Sequence, residues 1–219
     1  MKYRPLKKDL TDGTKTCHFC NRPLKSLKAY ILMDEKTKEK IYSGPKCAED
    51  NISNKYNLKL IPDLTRYTLA INDKESVLSS NFVERNTLKH TEKDLNYRKA
   101  IEYLELRENK LSEDFNTSYN VLKEYYSFYL VEGTLNLKQI NHILNIEKKS
   151  PDSLRLINLQ KCYNYIFWIN IGIQKLEEKA DGFLIPIKNY LINNLKLSIK
   201  QKKGVNKWLQ NLAETPLLK

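Results

Sequence analysis

Histidine and glycine are scarce in this chain, with three and six copies in 219 residues, and their positions exclude several kinds of site. No HExxH, no histidine pair at metal spacing and no HxE followed by CxxC occurs, so hydrolytic metal centres with an open position and a nearby general base leave no signature. The glycines form no phosphate-cradling loop, and there is no GxSxG elbow. Long apolar runs are missing as well. No stretch reaches about eighteen apolar residues, and Met1-Lys2-Tyr3-Arg4-Pro5-Leu6-Lys7-Lys8 lacks the core of a secretory signal. A cytoplasmic chain that does not cross a membrane is expected. Cysteine is limited to four copies, two of them in a CxxC, which suits metal binding better than a disulfide framework.

What the chain does have is positive charge, +12 in total, and its distribution is uneven. Residues 1–50 hold 12 Lys and Arg against 7 acids, residues 51–187 hold 19 against 18, and residues 188–219 hold 7 against 1. Two basic ends around a balanced middle fit a polyanionic partner.

Residues 1–16 are polar and basic and read as a poorly structured arm, with Thr11-Asp12-Gly13 as a turn signal. Ala29–Met33 and Lys40–Ser43 flank a charged tip and predict a β-hairpin. Gly44-Pro45 ends the second strand, and residues 46–52 open a short helix. Residues 56–92 form a linker or small subdomain, in which Tyr67-Thr68-Leu69-Ala70-Ile71 fits strand or helix and Asn72-Asp73 a turn. Beyond lies helical text, opened by the capping pattern Thr91-Glu92-Lys93-Asp94, with further helices expected near 113–131, 137–148, 153–179, 183–194 and 199–213. Ser150-Pro151-Asp152 reads as the start of the 153–179 helix. Leu135-Asn136-Leu137-Lys138-Gln139 and Leu197-Ser198-Ile199-Lys200-Gln201 repeat one helix-start pattern 62 residues apart, and Leu111-Ser112 offers a third copy. The run Tyr163–Trp168 reads as a core helix, and Tyr125, Tyr126, Phe128 and Tyr129 read as packing residues.

Cys17-His18-Phe19-Cys20-Asn21 carries the strongest chemical signal. Two thiolates three apart in a tight knuckle reach one tetrahedral ion, and Asn21 tolerates the positive φ that such a turn needs. Cys47 arrives at the helix start, and its i, i+3 partner is Asp50, which makes Asp50 the leading fourth ligand. Cys162, His90, His18 and water are the alternatives.

Knuckle, hairpin and a ligand pair opening a helix, in that order, resemble the treble-clef zinc finger group over residues 15–55. The resemblance implies a structural zinc ion. Treble clefs commonly carry cysteine where this chain has Asp50.

Lys7 and Lys8 on the arm, and Arg22, Lys25, Lys28 and Lys46 around the knuckle, are candidate phosphate contacts. At the other end Lys196, Lys200, Lys203 and Lys207 recur at four, three and four, one stripe on a helix, with Leu209, Leu212 and Trp208 toward the core. The expected fold is therefore mainly α, with a zinc finger in 1–55, the linker in 56–92 and a larger α-helical domain in 93–219. The expected function is non-enzymatic nucleic-acid binding, DNA before RNA. The rivals are a protein–protein adaptor docking on a nucleic-acid-associated complex, and a nuclease with an unrecognised site.

Overall fold

The computed structural model describes residues 3–69, 91–180, 182–212 and 217–218. It divides into two compact units, Met1–Arg66 and Tyr67–Lys219. The fold is mainly α, with a small three-stranded antiparallel sheet at the amino end and helices beyond it.

In the first unit β1 (Tyr3–Leu10), β2 (Lys28–Asp34) and β3 (Lys40–Ser43) lie in sheet order β1-β2-β3. They are followed by helix α1 (Pro45–Asn51). The expected β2–β3 hairpin is present, with Met33 opposite Lys40. Its tip is closed by the Asp34 carboxylate, which accepts the backbone N–H of Lys36 and Thr37.

The expected arm is corrected: residues 3–10 are a strand, registered on β2 from Tyr3 opposite Asp34 to Leu10 opposite Lys28. Period-two burial holds from Tyr3 to Pro5, and the register on β2 shifts between Pro5 and Lys7. Tyr3 and Pro5 turn inward between half-exposed neighbours, and the lysine content that suggested an arm also suits an edge strand. On the outer side of β1, Lys8 N–H donates to Pro62 O and Leu64 N–H donates to Lys8 O. That returning segment carries the unit past residue 55, to Arg66.

In the second unit, β4 (Thr68–Leu69) pairs antiparallel with β5 (Leu217–Leu218). The expected turn at Asn72-Asp73, and Ala70 and Ile71 before it, lie outside the described residues. Helix α2 (Glu92–Glu105) starts at the expected capping box of Thr91 and Asp94. It runs into a π-helical turn, Leu106–Lys110. Helix α3 (Asn120–Glu132) begins later than expected, after Tyr119, and Ser112 instead donates its hydroxyl to Asn109 O. The intervening loop is held by the buried Arg107, which donates from Nε to Thr117 O and from Nη1 to Tyr103 Oη at 2.6 Å. Helices α4 (Leu137–Lys149), α5 (Leu156–Leu176), α6 (Leu184–Asn194) and α7 (Ile199–Leu209) complete the unit. Ser150 closes α4, donating to Ile146 O, rather than opening α5.

The capping pattern repeated 62 residues apart marks a larger repetition. Asn136 with Gln139, and Ser198 with Gln201, form reciprocal capping boxes at the starts of α4 and α7. The preceding helices α3 and α6 both end on a left-handed residue, Gly133 and Leu195. Core positions also coincide at that offset: Tyr103 with Tyr165, Leu122 with Leu184, and Ile143 with Val205 are all buried. Each repeat is one longer helix with two shorter ones against it: α2 carries α3 and α4, α5 carries α6 and α7, and α2 meets α5. In the first hairpin Tyr125 Oη lies 2.8 Å from His142 Nδ1. In the second, Gly204 stands at the place of His142 and makes room for Phe183, whose ring stacks on Trp208.

The core follows the expected aromatic run, since Tyr163, Tyr165, Ile166, Trp168 and Ile169 are buried on α5. The aromatics of α3 do not all follow. Phe128 is 43% exposed and Val131 82%, because α3 turns only Leu122 fully inward.

Candidate metal centre

Three elements converge on the cysteines. The knuckle closes with Cys17 N–H donating to Arg22 O at 2.9 Å and Asn21 N–H to Cys17 O at 2.8 Å. Asn21 takes φ 56°, the left-handed conformation its side chain tolerates better than most. His18 N–H donates to Tyr42 O, which ties the knuckle to the hairpin. Gly44 then precedes α1, and Pro45 occupies its first turn, where a missing N–H costs nothing. Cys47 sits on that turn.

The sulfurs of Cys17, Cys20 and Cys47 lie within 4.8 Å of one another. A tetrahedral ion with bonds of about 2.3 Å to sulfur needs thiolates roughly 3.8 Å apart, so this spacing suits a metal with little adjustment. Polarity fits too. Burial pushes the Cys17 thiol up, but N–H groups of Gly44, Cys20 and Phe19 and the Ser43 hydroxyl outweigh it and bring its pKa down to about 6. Cys47 is pushed up to about 11, chiefly because its S–H is shared with Cys20 and then Cys17. The cluster of three close cysteines beside the hairpin is compatible with a zinc-finger-like motif and can hold a metal ion.

The expected fourth ligand is not brought in. Asp50 is exposed and stands outside the cluster. Asp50 lies one turn from Cys47, but fully buried Ala48 sets the inward face of α1, and Asp50 lies about 200° around the helix from Ala48. Among the alternatives, His18 is exposed, with its ring edge-on to Tyr3 and Phe19. Cys162 is buried in the helical unit, donates to Leu195 O at 2.9 Å, and is pushed up to about 12 by burial. His90 lies outside the described residues.

Sequence reasoning missed Ser43, which is fully buried with its hydroxyl 3.7 Å from the Cys17 sulfur. The only signal was its place in Ser43-Gly44-Pro45, between strand and ligand helix.

The candidate phosphate contacts fall into three groups. Arg22, Lys25 and Lys46 are exposed around the knuckle, while Lys28 is half-buried on β2. Lys7 and Lys8 are not on a free arm: Lys7 lies 3.5 Å from Asp9, and Lys8 lies 3.7 Å from Asp63 and over the Tyr30 ring. Lys200, Lys203 and Lys207 are exposed on α7, and Lys196 is exposed just before that helix rather than on it. Opposite them Val205 and Leu209 are buried, and Trp208 is half-buried against Phe183.

No protein-family model, no curated protein and no solved structure matches the chain. No helix among the described residues is long and apolar enough to cross a membrane.

Proposed function

We propose that the chain is a non-enzymatic, zinc-dependent nucleic-acid-binding protein, acting on DNA before RNA, with a treble-clef-like finger at its amino end. The observation that carries this reading is the group of three sulfurs within 4.8 Å, backed by N–H groups directed at Cys17. A sulfur-rich donor set of this size selects zinc over magnesium or calcium. Cys17, Cys20 and Cys47 would hold the ion, and it would supply a structural cross-link among knuckle, hairpin and α1. Arg22, Lys25 and Lys46 then stand at fixed places around the pinned knuckle, ready for phosphate oxygens.

Binding of the full chain to duplex DNA and to RNA of the same sequence, across a salt series, tests this. Affinity that falls steeply with salt, is higher for the DNA, and is weakened in Cys47→Ser is expected. Absent binding to either, in zinc-replete protein, would overturn it. A protein-adaptor role is the second reading, favoured by exposed Phe128, Leu130 and Val131 on α3. It predicts a flat salt response at near-zero affinity for bare nucleic acid.

A further inference from the structure

The two helical hairpins contain a control for the meaning of their own charges. Over matched windows 62 residues apart, residues 122–147 carry two lysines against three glutamates, whereas residues 184–209 carry six lysines and no acid. The scaffold is shared: a reciprocal capping box, a left-handed residue ending the first helix, and buried residues at the matched positions Leu122 and Leu184, and Ile143 and Val205. Thr134, Asn141 and Asn145 stand where the second hairpin has Lys196, Lys203 and Lys207, and all six are exposed. Glu124, Glu132 and Glu147 are matched by Pro186, Asn194 and Leu209. Lys200 is matched by Lys138, so the first hairpin shows only that this geometry does not require Lys196, Lys203 and Lys207, and folding alone does not account for those three.

The exposed face of α7 is also simple in chemistry. Its lysines have no ion-pair partner among the described residues. The side chains able to read bases are engaged elsewhere: Asn206 donates to Leu218 O at 3.1 Å and accepts Leu218 N–H at 2.8 Å, and Gln201 accepts the N–H of Ser198. No arginine occurs after Arg155. A face of ammonium groups without free amide or guanidinium forks contacts phosphates and leaves base edges unread.

We propose that the α6–α7 hairpin is a sequence-independent nucleic-acid backbone-binding surface, formed by Lys196, Lys200, Lys203 and Lys207 on a repeat whose sister hairpin does not share that role. This rests on the nucleic-acid reading above and assigns the C-terminal part of it to one face. The charge belongs to the hairpin, so its contribution is separable from that of the finger.

The test uses the full chain, short duplexes of two unrelated sequences and anionic phosphatidylserine vesicles. Three variants are compared. K196T/K203N/K207N installs the residues of the sister hairpin, K123Q/K148Q/K149Q removes three exposed lysines from the first repeat, and Cys47→Ser disables the finger. Thermal unfolding of the helical unit confirms that each variant is folded. Equal affinity for both duplexes is expected. The salt slope should fall by about 2.7 in the first variant, at roughly 0.9 for each phosphate no longer neutralised, and by less than about one in the second. Equal losses in both lysine variants would reduce the effect to net charge and overturn the proposal. So would a marked preference for one duplex, or binding to vesicles and not to DNA. Wild-type binding that disappears in Cys47→Ser but is untouched in K196T/K203N/K207N would overturn this proposal and leave the finger reading standing.

Discussion

The two units are stabilised by different means. In Met1–Arg66 the buried apolar residues include Tyr3, Leu32 and Ala48 in one cluster, Cys17, Leu24 and Ala29 in another, and Leu10, Ile31 and Leu64, in a unit of 66 residues. In the helical unit Ile101, Tyr103, Leu104, Leu106, Leu122, Ile143, Leu159, Trp168 and Ile169 are all essentially inaccessible. A unit of the first size is marginal on apolar burial alone and commonly depends on a metal or disulfide, whereas the second buries enough to stand by itself. One half should therefore be governed by an ion and the other by packing.

Removing a ligand should break that contrast most visibly. Structural zinc contributes about 10–16 kcal/mol of binding free energy in small fingers. In Cys47→Ser, amide exchange protection at Ile31 and Leu32 on β2 is expected to collapse, while Ile166 and Ile169 on α5 keep theirs. Equal loss in both units would mean that they are not independent.

Core truncation sharpens the other side. Leu122→Ala and Leu184→Ala remove equivalent, fully buried side chains from the two repeats. Each should destabilise the helical unit by about 3 kcal/mol in denaturant titration and leave metal content unchanged. A smaller effect follows from a place where the hairpins differ inside, His142 against Gly204. A Cβ on residue 204 would lie 2.5 Å from Phe183 Cζ. Gly204→Ala should cost about 1–3 kcal/mol by the same titration, unless the ring leaves its stack on Trp208. The capping boxes give the smallest change. Asn136→Ala and Ser198→Ala should each cost about 1 kcal/mol, and similar values would support the repeat as a physical equivalence.

What was legible in the sequence was local. The knuckle, Asn21, the hairpin, the short helix after Gly44-Pro45, the capping box at Thr91 and the N-caps at Asn136 and Ser198 are short-range patterns, and each is present as expected. What was not legible depended on distant partners. Tyr3–Leu10 is a strand because β2 and the segment at Pro62–Leu64 receive it, and its alternation stops at Pro5, where the register shifts. Asp50 turns outward because Ala48 packs inward, a choice that i, i+3 spacing alone does not settle. The repeat showed only as two helix starts, because the residues that make it an architecture, such as Tyr103 with Tyr165, share burial across α2 and α5 rather than a motif.

The most direct measurement is the metal content of purified full-length protein by mass spectrometry, beside its Cys20→Ser variant. One zinc ion per chain in the wild type, and little or none in the variant, is the expected result. A well-folded amino unit carrying no metal would contradict the account.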